Sequence, residues 1–354
     1  MRMLAFMKYG SQAASARQRL MQYAPYLADH GIEIEYLPLL GNDHMRRVAA
    51  GKGRALGQTL AAYARRLLSV LTRRDFDVLW VQYELFPYLP GAFERLVGLS
   101  GKPVVVDYDD AIFHMYDEHR ASAVRRALAT KLAPLLTRAD TVICGNAYIQ
   151  AYATRYCPRT PIIPTVVDTN VFKPRESARP DGPVVVGWIG SPSTWGFVEP
   201  LLPRLLPVLE REGAIMRVVG AGPRAKGLPG VEARDWAEAT EIADLQSMDI
   251  GIMPAQDDPW QRGKCGYKLI QYMACGLPVV GSPVGVNSDI VTPEVGLLAR
   301  TPDAWEEALA RLIGDASLRR EMGVKGRARA EAHYSLHAQQ PRLLEVLRAL
   351  APEA

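Results

Sequence analysis

Two lysines beside a short helix form the most informative segment of the sequence, which runs from Gly263 to Ser288. Lys264 and Lys268 stand where we expect the helix to begin, Cys275-Gly276 should end it, and a buried strand is expected at Leu277–Val280. The first backbone amides of a helix lack partners and carry partial positive charge. The segment therefore predicts a diphosphate site. The alternative is an ordinary strand-helix-strand unit whose lysines are only solvated.

The segment resembles the donor-binding signature of retaining glycosyltransferases of family 4, which have the GT-B fold of two facing Rossmann-like, doubly wound parallel-sheet α/β domains. Met273 to Val280 are similar to the Met-Ala-x-Gly-x-Pro-Val-Val segment of these enzymes. The two glutamates of the family signature fall on Gly263 and Gln271, so both carboxylates are missing. Lys264 to Lys268 are similar to the Lys-Cys-x-x-Lys version of one subgroup, which is the better match.

The resemblance implies transfer of a sugar from a UDP- or GDP-linked donor to a hydroxyl group, with retention of configuration at the anomeric carbon. The acceptor would be a glycan, a lipid-linked molecule or a small molecule, and the reaction would belong to surface polysaccharide or glycan synthesis. It implies that the leaving diphosphate helps to take the acceptor proton, while lysines and helix amides stabilise the charge on the leaving group. Two other functions stay open. One is a nucleotide-sugar-binding protein without catalysis, which the missing glutamates favour, and the other is a GT-B nucleotide-sugar epimerase.

Composition limits the class of protein. A chain of 354 residues exceeds what one core usually serves, so two domains are expected. The net charge of +4 includes no basic block like a nucleic-acid-binding arm, so nucleic acid is not an expected partner. The cysteines have neither metal-ligand nor disulfide spacing, and no apolar run has the length of a membrane span. We expect a cytoplasmic protein without cofactor or metal; peripheral attachment to the inner face of the membrane and the oligomeric state stay open.

Strand-like and helix-like segments alternate along the chain, which predicts parallel strands covered by helices on both faces. In the first half, we expect strands at Met3–Met7, Ile32–Leu39, Val78–Tyr83, Pro103–Tyr108, Thr141–Cys144 and Ile162–Val166, and helices at Ala16–His30 and His44–Arg73. In the second half, we expect strands at Val184–Gly190, Ile215–Gly220, Val231–Arg234, Ile250–Pro254 and Leu277–Val280.

The proline-rich segment Asn170 to Pro183 breaks this alternation and is predicted to link two domains. We predict a first, acceptor-side domain over residues 1–169 and a second, nucleotide-sugar-binding domain over residues 170–336. The resemblance implies that the C-terminal helical segment 337–354 packs back on the first domain.

The turn with Gly190, Ser191 and Thr194 follows a buried strand and offers amides and hydroxyls to a phosphate. In many enzymes of the family this turn carries an arginine, and a lysine follows a few residues later. Both are absent here, so Lys264 and Lys268 would supply the charge. The alternative is a plain turn whose hydroxyls cap a helix.

Three further residues complete the predicted donor site. Trp236, at a strand end, could stack near the base or cover the core. Asp258, or its neighbour Asp257, could replace the first signature glutamate at the sugar hydroxyls, or lie in an exposed acidic turn. Gln271 can still bind ribose hydroxyls in place of the second glutamate, more weakly than a carboxylate.

The loop with Gly10, Ser15 and Arg17 joins the first strand to the first helix and resembles the family loop that faces the donor phosphates across the cleft. We predict that Arg17 enters the cleft and that Arg19 is a solvated helix residue.

Carboxylates end two predicted neighbouring strands. Asp107, Asp109 and Asp110 lie at the end of one, and Glu84 follows the other, where open α/β sheets bind ligands. We predict that Asp109, Asp110 and Glu84 form the catalytic group, in which Asp110 and Glu84 orient the acceptor hydroxyl and one of the two aspartates caps the next segment. A divalent ion on Asp109 and Asp110 is the alternative for that pair, and a simple packed turn is the alternative for Glu84.

Overall fold

The computed structural model describes residues 1–49, 56–177 and 182–351. The chain divides into two compact units, one formed by Met1–Thr165 with Gln339–Ala354 and the other by Val166–Ala338. Each unit is built on a parallel sheet, so the predicted class of two parallel-sheet α/β domains is confirmed. The functional domain limits drawn from the sequence, 1–169 and 170–336 with 337–354, stay a prediction.

The first unit contains five parallel strands in the order β2-β1-β3-β4-β5. These strands are β1 Arg2–Tyr9, β2 Glu33–Leu40, β3 Val78–Gln82, β4 Val104–Tyr108 and β5 Thr141–Cys144. Its helices are α1 Ala14–Arg19, α2 Ala24–Asp29, α3 Asn42–Ala49, α4 Leu56–Thr72, α5 His114–Asp117, α6 Ser122–Leu128, α7 Ala133–Arg138 and α8 Ala147–Ala153, with 3₁₀ turns at Met21–Tyr23 and Gly91–Ser100.

The second unit contains six parallel strands in the order β11-β10-β9-β6-β7-β8. These strands are β6 Val184–Ile189, β7 Ala214–Val219, β8 Val231–Arg234, β9 Ile250–Met253, β10 Val279–Gly281 and β11 Gly296–Leu298. Its helices are α9 Pro192–Trp195, α10 Leu202–Arg211, α11 Glu241–Gln246, α12 Pro259–Arg262, α13 Tyr267–Ala274, α14 Asn287–Ile290, α15 Pro302–Gly314 and α16 Ala316–His333, with 3₁₀ turns at Glu199–Leu201 and Gly222–Ala225. The last helix, α17 Leu336–Arg348, continues into the first unit.

Both faces of the second sheet are covered, as the run of apolar residues in β6 predicts. Val186 and Trp188 belong to one hydrophobic cluster, whereas Val185 and Ile189 belong to another. Successive side chains of a strand point to opposite faces, so the two clusters lie on the two sides of the sheet. The strand order reverses between β6 and β9 here and between β1 and β3 in the first unit. Ligands bind at such switch points in open α/β sheets.

Two predicted elements are wrong. The segment Ala16–His30 is not one helix but α1, a 3₁₀ turn and α2, because Pro25 lacks the N–H that a continuous helix would need and stands instead at the start of α2. The segment Ile162–Val166 is not a strand. Ile162 forms only an isolated bridge to Cys144, because prolines at 161 and 164 cannot donate ladder hydrogen bonds.

Other predictions hold in part. The helical stretch His44–Arg73 corresponds to α3 and α4, and residues 50–55 lie outside the described part of the chain. The three-residue strand β11 was not predicted, because its pattern is too short to show alternation. Within the described ranges, no helix combines the length and the apolar character needed to cross a membrane.

Candidate functional site

Three strand ends meet in the second unit. The Gly190 N–H donates to the Val219 carbonyl at 3.0 Å, and the Gly220 N–H donates to the Arg234 carbonyl at 2.9 Å. Gly220 has φ +84°, and a β-carbon there would lie 2.2 Å from the Gly190 carbonyl oxygen and 3.0 Å from Cβ of Trp236. Only glycine fits that position. Gly190 and Trp236 are thereby brought together at the carboxyl edge of the sheet.

Lys268 lies directly against the Gly190 turn. A β-carbon on Gly190 would come within 2.8 Å of Cε of Lys268 and 2.4 Å of the Trp188 ring. The Nζ atom of Lys268 lies 5.9 Å from the centroid of that ring. Burial, and then the charge of Lys264, lower the pKa of Lys268 to about 8. An anion at this point would stabilise the ammonium form, so the position favours binding of a phosphate.

Helix α13, which carries Lys268, is held rigidly on the two strands at the switch point. The hydroxyl of Tyr272 accepts the Ile189 N–H at 3.0 Å and donates to the Ile252 carbonyl at 3.2 Å. Gly276, with φ +73°, follows the last helical turn in the left-handed conformation that ends many helices. The predicted end of the helix at Cys275-Gly276 is therefore confirmed.

Ser191 and Thr194 form a local hydrogen-bonded turn at the start of α9. The Ser191 N–H donates to Oγ1 of Thr194 at 3.3 Å, and that hydroxyl donates to the Ser191 carbonyl at 3.1 Å. Oγ of Ser191 lies 2.8 Å from Oγ of Ser193. These hydroxyls are exposed and directly follow Gly190, so they adjoin the turn against which Lys268 packs.

Glu241, the first residue of α11, was missed by the sequence reasoning and joins two predicted site residues. Its Oε1 accepts from Nε2 of Gln271 at 3.1 Å and from Nε1 of Trp236 at 3.2 Å. Because the amide nitrogen of Gln271 is directed to Glu241, its oxygen is left as an acceptor on the other side. A glutamate at the first helical position after β8 lies at the carboxyl edge of the sheet, and this was the available signal.

The carboxylates of the loop before α12 interact with residues of α12 itself. Asp258 accepts the Gln261 N–H at 2.8 Å and caps α12, and Asp257 pairs with Arg262 at 2.7 Å. The hydrogen bond from Arg262 lowers the pKa of Asp257. Nζ of Lys264 lies 4.9 Å from the centroid of the Trp260 ring. Contact of Asp258 with a sugar stays a prediction.

In the first unit, Tyr83 connects two predicted site residues and was not itself predicted. Its φ of +68° is left-handed, a conformation that residues other than glycine rarely adopt. The Tyr83 hydroxyl donates to Oδ1 of Asp109, and Ser15 also hydrogen-bonds to Tyr83. Burial, and then the charge of Asp110, raise the pKa of Asp109 to about 7. Ser15, Tyr83 and Asp109 therefore form one connected polar group.

Glu84 lies inside a buried ion-pair network. Its carboxylate accepts from Lys131 at 2.6 Å and from the Tyr116 hydroxyl at 2.7 Å. Lys131 also pairs with Glu94 at 2.9 Å. A buried carboxylate needs such partners to stay ionised. The network explains why Glu84 tolerates burial, and its catalytic role stays a prediction.

The prediction that Arg19 is a solvated residue is wrong. Arg19 is buried, and its Nε and Nη2 each donate to the carboxylate of Asp107 at 2.9 Å, while Nη1 donates to the Ile163 carbonyl. The signal was Asp107 itself, because a carboxylate in the buried strand β4 requires a cation. Asp107 is thus neutralised within the fold by Arg19.

The loop after β1 is fixed by Asn42. A β-carbon on Gly10 would lie 2.5 Å from Oδ1 of Asn42, which accepts the Gln12 N–H, and Nδ2 of Asn42 donates to Oγ of Ser11. Arg17 donates to the Ser11 carbonyl at 2.9 Å and is half-buried. The structure thus places Arg17 across its own loop, and its contact with a donor stays a prediction.

One group of possible metal ligands occurs among the described residues, formed by His114, Asp117 and Glu118, with ligand atoms within 4.8 Å of one another. Nδ1 of His114 lies 2.8 Å from Asp117, and Nε2 lies 2.9 Å from the Tyr148 hydroxyl. A metal would have to displace the tyrosine to use Nε2. Asp109 and Asp110 are not members of this group.

Two Rossmann-like units with parallel sheets define a protein of the GT-B fold. Sucrose-phosphate synthase from Thermosynechococcus elongatus has a TM-score of 0.72 with 17% identity, covering 99% of both chains. HepE from Anabaena in complex with UDP-glucose has a TM-score of 0.67 with 18% identity, covering 99% of this chain and 100% of HepE. Residues 184–315 match the family described as glycosyl transferases group 1, and residues 12–165 match the glycosyl transferase 4-like domain. Each unit of the chain therefore matches a glycosyltransferase domain family.

Two curated proteins align with parts of the chain. The GDP-mannose-dependent monoacylated alpha-(1-6)-phosphatidylinositol monomannoside mannosyltransferase of Corynebacterium glutamicum is 33% identical over 115 residues, which are 30% of this chain and 29% of that protein. TuaH of Bacillus subtilis (strain 168), provisionally assigned as a teichuronic acid biosynthesis glycosyltransferase, is 23% identical over 243 residues, which are 61% of this chain and 58% of TuaH. The chain thus spans less than two thirds of either relative.

Proposed function

We propose that the chain is a retaining glycosyltransferase of the Lys-Cys-x-x-Lys subgroup, which transfers a sugar from a UDP- or GDP-linked donor to an acceptor hydroxyl in surface polysaccharide or glycan synthesis. The observation that carries the proposal is the packing of Lys268 against the Gly190 turn at the switch point of the second sheet. HepE was crystallised with UDP-glucose, and the corynebacterial relative depends on GDP-mannose. Both donor classes therefore stay within the proposal.

The donor diphosphate binds between the Gly190 turn and the start of α13. Lys268 contributes its ammonium group, Lys264 adds a second cation, and Ser191 and Thr194 add hydroxyl groups. Negative charge grows on the diphosphate as the sugar leaves, and fixed cations stabilise that charge more strongly than water does. An oxygen of the leaving diphosphate accepts the proton of the acceptor hydroxyl on the same face of the sugar. This pathway retains the configuration without a protein nucleophile.

The nucleoside binds beside Trp236, Glu241 and Gln271. The amide nitrogen of Gln271 donates a hydrogen bond to Glu241, which orients the amide oxygen. That oxygen accepts a hydrogen bond from a ribose hydroxyl. The second carboxylate oxygen of Glu241 accepts another. Glu241 of α11 thereby supplies a carboxylate beside Gln271, the position at which the family signature has a glutamate. Asp258 binds the sugar hydroxyls.

The acceptor hydroxyl is oriented from the first unit. Asp109, held by Tyr83, and Asp110 follow β4, while Glu84 follows the adjacent strand β3. With a pKa near 7, Asp109 can accept or give a hydrogen bond to an attacking hydroxyl. Gly10, Ser15 and Arg17 complete this side of the site.

A ligand screen followed by product analysis tests the proposal. UDP or GDP should raise the melting temperature, whereas ADP and CDP should not, because ligands that bind the native state stabilise it. Product anomers are then assigned by NMR with the matching nucleotide sugar and membrane-extract acceptors. The absence of a shift with all four nucleotides would contradict the proposal. A protein that binds a nucleotide but neither transfers the sugar nor slowly hydrolyses the donor would be a non-catalytic nucleotide-sugar-binding protein. The missing glutamates make this the second candidate.

A further inference from the structure

Helix α4 carries an unusual share of the exposed apolar surface. Ten large hydrophobic side chains are exposed among the described residues, and four of these are leucines of α4. Leu56 is 73% exposed, Leu60 62%, Leu68 61% and Leu71 46%. The other six are scattered over the chain. Single exposed leucines are normal, but a cluster on one helix indicates a binding surface.

The leucines share one side of the helix. At about 100° per residue, Leu56, Leu60, Leu68 and Leu71 fall within a sector of roughly 120°. Ala61 and Ala64 are exposed next to them. Seventeen residues make a helix about 25 Å long. We call this side, with these four leucines and two alanines, the leucine face of α4.

The opposite side of α4 is fixed to the sheet. The guanidinium of Arg66 is buried and donates to the carbonyls of Met7 and Leu37 at 2.8 Å and of Leu85 at 3.3 Å. It also lies 4.5 Å from the centroid of the Phe6 ring. Ala62 and Val70 are buried on the same side. The helix is therefore held in one rotation about its axis, and the leucine face is the side presented to solvent.

The charged residues from His44 to Arg74 are all basic, and one of them, Arg73, pairs with Glu35 and Asp75. The sequence from His44 to Arg74 contains eight Lys or Arg residues and no Asp or Glu. The whole chain has a net charge of +4, so the remaining residues carry a net charge of −4. Arg65 and Arg74 are exposed, and within the described part of the chain neither pairs with a carboxylate. The leucine face is thus bordered by free positive charge.

We propose that the leucine face of α4 docks on a membrane surface that contains anionic lipids. Leucines of an interfacial helix enter the boundary between headgroups and acyl chains, and flanking arginines bind lipid phosphates. A second copy of this chain fits less well, because symmetric pairing of two such faces would bring the unpaired arginines Arg65 and Arg74 of both copies together. The inference does not depend on the proposed donor, and it would bring the enzyme to lipid-linked acceptors.

Vesicle co-sedimentation tests the inference. The wild-type chain should sediment with vesicles of equal parts phosphatidylcholine and phosphatidylglycerol, less at high salt, and weakly with phosphatidylcholine alone. The double variant Leu60→Gln with Leu68→Gln should lower the partition coefficient by on the order of ten-fold or more. Arg65→Gln with Arg74→Gln should lower binding and its salt dependence.

The control replaces exposed apolar residues outside α4. Leu99→Gln with Val324→Gln, at positions that are 49% and 71% exposed, should bind as the wild type does. All variants change solvent-exposed side chains, and equal melting temperatures would show that they fold. The inference would be overturned if the wild-type protein did not sediment with anionic vesicles. It would also be overturned if the leucine variant bound the vesicles as strongly as the control variant. Light scattering that shows a dimer in the wild type and a monomer in the leucine variant would overturn it too, because the occupant would then be a second copy.

Discussion

Cε of Lys268 lies so close to Gly190 that a β-carbon on residue 190 would approach it to 2.8 Å. Gly190 directly follows β6, whereas Lys268 belongs to α13, which is fixed to the same strand through Tyr272. Two segments far apart in the sequence therefore build one small-residue turn with one cation. That combination suits a diphosphate better than either segment alone.

We predict that Lys268→Ala weakens nucleoside diphosphate binding by about ten-fold or more, because hydrogen bonds to charged groups contribute about 1.5–3 kcal/mol. Lys264→Ala should weaken it less, since its ammonium group lies over the Trp260 ring. Calorimetric titration measures both. Lys325→Ala is the control, because Lys325 is exposed on α16 and pairs with Glu321. Unchanged affinity in both site variants would show that the diphosphate binds elsewhere.

The pH dependence of binding should follow Lys268, whose pKa is lowered to about 8. Below pH 8 the free protein already carries the ammonium, and above it the diphosphate must draw a proton to the lysine. Affinity should therefore fall as pH rises above 8, by up to about ten-fold per pH unit. Titrations in buffers with different ionisation enthalpies would reveal the proton uptake. Lys268→Arg stays charged and should show a flat profile over this range; a profile unchanged by this substitution would assign the titration to another group.

Glu241 should contribute to binding of the nucleoside and not to binding of the diphosphate. Glu241→Ala removes the partner of Gln271 and Trp236, so we expect about ten-fold weaker binding of UDP or GDP. Inorganic pyrophosphate lacks the nucleoside and should bind the variant as it binds the wild type. Calorimetry with the two ligands separates these contributions. An equal loss for both ligands would mean that Glu241 supports the fold of the site and does not contact the nucleoside.

Activity should survive treatment with a chelator. His114, the histidine of the possible metal group, already has partners at both ring nitrogens, so we expect most of the turnover to persist after EDTA dialysis. Turnover is measured with the donor and acceptor that the screen identifies. Complete loss on chelation with recovery on adding magnesium or manganese would contradict this prediction. His114→Ala would then show whether the ion binds at that group or at Asp109 and Asp110.

Local signals explain what the sequence could predict. A contiguous sequence pattern that ends in Cys275-Gly276 predicts the helix with Lys268. Most strands are runs of buried apolar residues with clear ends. Contacts between distant segments left no such pattern. Arg19 meets Asp107 across 88 positions, and Gln271 meets Glu241 across 30. Tyr83 was missed because a left-handed backbone at a tyrosine cannot be inferred from its residue type.

The acceptor side is tested by two carboxylate variants. Asp110→Asn should reduce turnover far more than donor affinity, because the proposed donor contacts lie in the other unit. It should also move the pH profile. The charge of Asp110 helps to hold the pKa of Asp109 near 7, so turnover in the wild type should rise with pH through about 7 as Asp109 ionises. Without that charge, Asp109 ionises more readily, and the rise should occur at lower pH.

Asp109→Asn is the matched variant, and it should abolish the rise altogether while leaving donor binding intact. Rates measured from pH 5 to 9 at saturating donor compare the three proteins. A residue that only supports the fold would change the rate or the melting temperature without moving the midpoint of the profile. If Asp110→Asn leaves that midpoint in place, or if Asp109→Asn retains the full transfer rate, a different group orients the hydroxyl. The acceptor site must then be sought away from the end of β4.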